Sequence, residues 1–229
     1  MPKLLLAITI LFFVVTDVRG QTSDSTGGQN NTAPKPYTIK KWVDIPLTAA
    51  MTGWTIYSFA QISKKDGTSA GKLAGLKKDD VNGFDRWAIL PYNRGVDKAS
   101  YIPFYAAVPY PPVFMFLDKK MRKDYVELLF LYTQAMAITG ALYGSGAHYF
   151  PRLRPLVYDA GSPTDVRMAS NSRNSFFAGH VALVATSTFF MARVFADYHP
   201  ESRLKWVLYG AAGVATAATV GSKWRFNGR

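Results

Sequence analysis

Residues 174–183 read NSFFAGHVAL, and one of the chain's 3 histidines follows a glycine where a polar loop turns into an apolar segment. Asn174 and Ser175 are good helix N-caps. A helix opening there points the amides of Ala178, Gly179 and His180 outward, where unpaired N–H groups and the helix dipole favour an anion. Gly179 lets the backbone approach such an anion closely. The imidazole of His180 exchanges a proton near neutral pH. Amides plus imidazole make a phosphate seat with an acid beside it. The plainer alternative is a histidine that caps a helix and packs against its neighbours. Just upstream lie Arg152, Arg154, Arg167 and Arg173. Arginine presents a planar fork that matches phosphate in two parallel bonds. A lone arginine in this loop is expected to be solvated and paired with Asp159 or Asp165. Arg154, locked ahead of Pro155 at a helix exit, is the one expected to meet phosphate.

The elements that must position these residues are helical. Apolar stretches recur at 45–63, 100–117, 125–149, 176–196 and 204–222. The third has no Lys, Arg, Asp or Glu from Leu128 to Pro151. At ~1.5 Å per residue it crosses a hydrocarbon layer of ~30 Å. The fifth is rich in Gly, Ala and Thr, which lets helices pack closely, in membranes especially. The second holds Pro103, Pro109, Pro111 and Pro112 and must be kinked or broken. Strand signals are few and repeats are absent. The expected fold is all-α, a multi-helix bundle embedded in a membrane. A soluble bundle is the alternative, since the mean hydropathy is near zero.

Between the second and third stretches lies DKKMRKD (118–124), with four basic residues in a tight connection. Such a loop stays on the cytoplasmic side. Helix counting then brings HYFPRLRP, NSFFAGH and GSKWRFNGR together at the opposite end, and a soluble up-and-down bundle would do the same. All three segments carry positive or phosphate-binding chemistry.

The 229 residues are 48% hydrophobic and 18% charged, enough for one domain with a sizeable core. There is no cysteine, which excludes disulfides, thiol nucleophiles and cysteine-based metal sites. The net charge of +12 suits anionic lipid headgroups or phosphorylated substrates. Nucleic acid is the weakest partner class, because no helix-turn-helix, zinc-finger or RNA-binding pattern accompanies the charge. Residues 1–20 have a lysine, an apolar run from Leu4 to Val15 and a small Gly20, the pattern of an exported signal peptide. An uncleaved anchor is its rival. Residues 21–40, polar and broken by proline through Pro36, read as a disordered linker ahead of a helical domain at 41–229. A cleaved signal combined with a span at 45–63 would turn the three converging segments towards the cytoplasm. Keeping them outside requires either that the signal stays as an anchor or that 45–63 does not span.

Arg154–Pro155, then Gly179–His180 opening an apolar helix, then SKWRFNGR after the next helix together resemble the type 2 phosphatidic acid phosphatase superfamily over roughly residues 100–229. Its pattern is K-x(6)-R-P, then P-S-G-H, then S-R-x(5)-H-x(3)-D. The resemblance implies a metal-free and cofactor-free phosphatase working through a phosphohistidine. The first-motif Lys and Arg and the second-motif Ser and Gly hold the phosphate, and the second-motif His protonates the leaving group. The third-motif Arg binds phosphate, and the third-motif His, oriented by the Asp, attacks phosphorus. Carried over, Arg154 binds phosphate, Gly179 donates to it and His180 is the acid. The first-motif Lys falls on Ala147, where His148 or Arg152 would have to supply the charge. Phe177 and Ala178 stand for Pro and Ser, leaving the Ala178 amide without the hydroxyl. The third-motif Arg falls on Trp224, between Lys223 and Arg225, either of which reaches the site after a one-residue shift. The nucleophilic His is expected just past Arg229, with its Asp and a last helix beyond, so the 229 residues are expected to be a fragment or a degenerate member.

The resemblance implies hydrolysis of a phosphorylated lipid or small phosphate ester, in the cell envelope with a periplasm-facing site. A soluble periplasmic acid phosphatase and a vanadium haloperoxidase share the fold. The alternative function is a non-catalytic phosphate- or lipid-binding membrane protein, and a purely structural helical protein comes third.

Overall fold

A computed structural model of the chain describes residues 35–81, 83–86, 89, 92, 94–95, 101–175 and 177–225, the side chains of 84, 85 and 221–225 excepted. The segment 1–20 and the linker up to residue 34 lie outside them.

The described chain is all-helical, with one isolated bridge, Arg152 to Asn174, in place of any strand. Six helices build the bundle: α1 (Lys41–Ser63), α2 (Ile102–Ala107), α3 (Tyr110–Leu117), α4 (Tyr125–Tyr149), α5 (Gly179–Tyr198) and α6 (Leu204–Arg225). The second apolar stretch is broken as its prolines require. Pro103 opens α2, Pro111 and Pro112 fall in the first turn of α3, and the chain turns at Val108–Pro109. These are positions where the missing N–H costs no helical bond. In α4, Glu127 lies in the first turn and His148 in the last, both favourable to the helix dipole.

Cross-helix bonds give the directions. Gln134 Nε2 donates to Asp44 O at 3.2 Å and Thr55 Oγ1 to Ala137 O at 2.9 Å, while Gly144 lies against Ser58. The numbers rise together, so α1 and α4 run parallel. Against α5 they run in opposite senses, from Tyr198 Oη–Asp124 Oδ2 (2.8 Å) through Tyr132 Oη–Ser187 Oγ (2.9 Å) to Gly179 beside Tyr143. The α2–α3 pair descends alongside α5, with Ser187 Oγ donating to Ala107 O at 2.5 Å and Phe114 meeting Phe195. α6 returns along α5, Phe189 facing Tyr209.

The bundle therefore has two ends. The base holds the 118–124 loop, the 199–203 turn and the start of α1. The crown holds the described residues of 64–101 and 150–178 and the end of α6. The main apolar cluster lies towards the base, where Met115, Met121, Leu128, Met191 and Val194 are buried together. Tyr37, placed in the linker by its sequence neighbours, is docked there instead. Its hydroxyl donates to Asp197 and its ring stacks on Tyr198 at 6.3 Å.

Two helical segments, Met121–Tyr149 and Gly179–Tyr198, are long and apolar enough to cross a bilayer. The apolar stretches in Ile102–Leu117 and Leu204–Val220 are shorter. Every long helix carries large apolar side chains outward, including Ile56 on α1, Val126 on α4, Phe189 on α5 and Val214 on α6.

Candidate functional site

The crown is built on a short backbone ladder. Arg152 N donates to Arg173 O at 3.0 Å, Ser175 N to Arg152 O at 3.1 Å, and Arg154 N to Ser172 O at 2.8 Å. The exit of α4 is thus stitched to the lead-in of α5. The order of the helices puts these segments at one end of the bundle, and the ladder joins them backbone to backbone. It also uses the amides differently. Asn174 is a ladder residue and does not cap α5. The helix opens at Gly179, with Ala178 as an N-cap that offers no side-chain bond.

The intervening loop is closed by its own polar groups. Arg167 Nε donates to Val157 O at 2.8 Å and Arg173 Nη1 to Asp66 O at 3.0 Å. Arg154 Nη2 donates to Asn171 Oδ1 at 3.0 Å. The expected pairing of these arginines with Asp159 or Asp165 gives way to carbonyl and amide acceptors. Asp159 is buried and accepts from Ser162 Oγ at 2.9 Å, with Lys78 Nζ at 3.7 Å.

At the start of α5 the glycine answers a packing need. A Cβ at Gly179 would lie 2.7–2.9 Å from the ring of Tyr143. Gly179 is buried under that ring, which also meets Phe177 edge-on at 5.9 Å and Phe59 at 5.7 Å. Packing under Tyr143 by itself accounts for the absence of a side chain at position 179. His180 stands between Tyr101 and Phe104, edge-on to both at 4.6 and 5.2 Å. Of the other histidines, His199 is at the base, its Nε2 3.0 Å from Asp118 Oδ2. His148 is in the last turn of α4 with Nδ1 buried and without a hydrogen-bond partner.

Lys65, in the segment after α1, was not singled out by its sequence context. Its ammonium donates to the main-chain carbonyl of Ala147 and, at 3.1 Å, to Asn174 Oδ1. A cation from a segment distant in the chain therefore sits on the Ala147 carbonyl at the end of α4. Burial, reinforced by the Arg173 cation, pushes the Lys65 ammonium below its ordinary range. A second tie holds the same segment: Thr68 N donates to Met168 O at 3.0 Å. Gly67 presses so closely on Met168 O that any side chain there would collide with it.

Arg152 and Ser175 line a cavity of about 360 Å³, closed by Asp80, Val81, Leu153, Pro155 and Tyr158. Arg154 and His180 are not among its lining residues. The structure thus brings Arg152 and Arg154 onto one ladder, where Arg152 is among the cavity's lining residues and Arg154 Nη2 donates to Asn171. Ala178 is exposed at the helix opening. Lys223 and Arg225 lie in the last turns of α6, and their side chains fall outside the described residues. Among the described residues, no group of three or more His, Asp and Glu gathers as a metal ion would need. No protein-family model, curated protein or solved structure matches the chain.

Proposed function

We propose that the protein is a membrane-embedded phosphatase of lipid phosphates or diphosphates whose site is the crown. The observation that carries this reading is the ladder that sets Arg152 and Arg154 beside residues 172–175, just ahead of the opening turn of α5. Guanidinium groups and first-turn amides that lack a side-chain cap favour a phosphate dianion. His180, in the first turn of α5, is the group to hand a proton to the leaving oxygen as a nucleophile outside the described residues bonds to phosphorus and the P–O bond to the leaving group breaks. Phosphate capture and that protonation are the steps these residues account for.

Lys40 and Lys41 at the start of α1, the 118–124 loop and Arg203 all lie at the base. The tight 118–124 loop, with four basic residues between two apolar stretches, is the support for a cytoplasmic base and an extracytoplasmic crown.

A non-catalytic phosphate- or lipid-binding protein is the second reading. It is favoured by Gly179 backed by Tyr143 and His180 held between two rings, which are packing roles. The two are separated by inorganic phosphate release from phosphatidate in nanodiscs. The phosphatase reading expects turnover that falls roughly 10²–10⁴-fold in His180→Asn, the usual cost of losing a general acid. Binding without release supports the second reading, and turnover unchanged in His180→Asn removes His180 from the chemistry.

A further inference from the structure

Two helices open at the base on the same short pattern. α1 begins Lys41–Trp42 and α6 begins Leu204–Lys205–Trp206, so each tryptophan lies in a first turn with a lysine on its base side. α1 packs on α4 and α6 on α5. Neither ring is covered: Trp42 is 93% exposed and Trp206 69%. Val43 and Val207, the next residues towards the crown, are exposed as well. α3 repeats the order from the other direction. It ends at the base on exposed Phe116 and Leu117, with Lys119 just beyond. At three places, then, bare apolar surface gives way to a cation as the chain reaches the base.

The cations face outward. Lys41, Lys119, Arg122, Lys123 and Arg203 are exposed, and their side chains enter no hydrogen bond or ion pair among the described residues. Most acids of the base are turned inward. Asp118 meets His199 and the amides of Lys120 and Met121, Asp197 meets Arg193 and Tyr37, and Asp124 meets Tyr198. Glu201 is exposed and offsets one of the five charges. A soluble polyanion would match the cations and leave the rings above them bare. A bilayer matches both, because indoles settle at headgroup level and basic side chains just outside them attract anionic headgroups.

We propose that the base is a collar for anionic phospholipid, with Trp42 and Trp206 at the headgroup level of one leaflet and the five exposed cations drawing anionic headgroups to it. The collar rests on the membrane reading of the bundle and is independent of phosphate capture at the crown.

The test is tryptophan fluorescence of the whole protein in vesicles of mixed phosphatidylcholine and phosphatidylglycerol, one or the other lipid carrying bromine on its acyl chains. Bromine quenches the indoles that its lipid touches. The part of the quenching lost in Trp42→Phe/Trp206→Phe, both exposed positions, is the share of the base. There phosphatidylglycerol should be preferred about fivefold, the worth of one basic side chain near an anionic surface. In ~1 M salt, where the Debye length is ~3 Å, the preference should fall towards equality. Lys41→Gln/Lys119→Gln/Arg122→Gln/Lys123→Gln/Arg203→Gln should lose it at low salt, whereas Lys64→Gln/Lys72→Gln, a pair at the crown, should keep it. A preference that follows this order supports the collar. Equal quenching by the two lipids at the base, a preference that survives high salt or the five base substitutions, or one that the crown pair also removes overturns it. Should the fivefold variant not fold, the salt series on the wild type decides. Quenching confined to tryptophans other than 42 and 206 overturns the collar and leaves the membrane reading standing. No quenching by either lipid overturns both.

Discussion

Lys65 and Asn174, 109 residues apart in the chain, are joined by a 3.1 Å hydrogen bond at the crown, and the same ammonium binds the carbonyl of Ala147. One cation thus ties the end of α1 to the last turn of α4 and to the ladder that leads into α5. Lys65→Met removes the charge and leaves both acceptors without their donor. Hydrogen bonds to charged groups contribute ~1.5–3 kcal/mol, so the thermal midpoint should fall. Because the bond holds Asn174 in the ladder, phosphate release should fall as well, with kcat hit harder than KM, and Lys65→Arg should recover part of both. A lower midpoint with unchanged release would limit Lys65 to a structural tie.

Gly179→Ala puts a methyl 2.7–2.9 Å from the Tyr143 ring. Overpacking of this kind costs ~1–3 kcal/mol. Tyr143→Leu on the same background should relieve most of it. A urea or thermal series on the four proteins of the cycle checks this, and additive effects would deny the contact its role.

Gly53 on α1 is exposed, whereas Gly144 on α4 is buried against α1, so an added side chain has opposite consequences at the two. A Cβ at Gly144 would come 2.5 Å from Ser58 Cβ, whereas at Gly53 nothing lies within 4 Å. Gly144→Ala should destabilise by ~1–3 kcal/mol by forcing α1 from α4. Gly53→Ala should stabilise by ~0.5–1 kcal/mol through helix propensity alone. Thermal midpoints of the two variants in one detergent give the comparison.

How far these features can be read from the chain alone depends on whether they are local. The uncharged run of α4 and the proline break between α2 and α3 follow from short-range rules, so both are legible. The sharing of one end by the segments around Arg154 and His180 is legible too, because it needs only the order of the helices. Asn174 shows the limit. Its side chain satisfies the local rule for an N-cap, but pairing with Arg152 and Lys65 is non-local and overrides that rule. Gly179 resembles a phosphate-loop glycine, and only the position of Tyr143 on another helix shows why a side chain is excluded there. Lys65 sits among other lysines in a polar stretch, with no neighbour to mark it. α1 is helical as its pattern expects, but Asp44, Thr48 and Ser58 leave it outside the two segments apolar enough to span.

At the base, burial alone would raise the Asp118 carboxyl, but the amides of Met121 and Lys120 on its Oδ1, together with the His199 imidazole, hold it below the ordinary carboxylate range. The folded state therefore binds this proton less readily than the unfolded chain. Asp118 contributes its full stabilisation above the unfolded value of ~3.9 and loses it as pH falls through the lower folded value. Asp118→Asn should be less stable than the wild type at pH 7, and the gap should close as the medium is acidified below that range. Thermal midpoints of both proteins along a pH series measure it. A gap that stays constant to low pH would show that the charge of Asp118 is not what holds the base loop to α5.

The claim on which the rest depends is that the crown binds phosphate through the arginines of the ladder. The direct measurement is a ³¹P NMR titration of inorganic phosphate against the protein in nanodiscs, for the wild type and for Arg152→Gln/Arg154→Gln. Saturable broadening that the double variant loses, with its thermal midpoint unchanged, is the expected result. Broadening that persists in the double variant, or none in the folded wild type, would contradict the phosphate site.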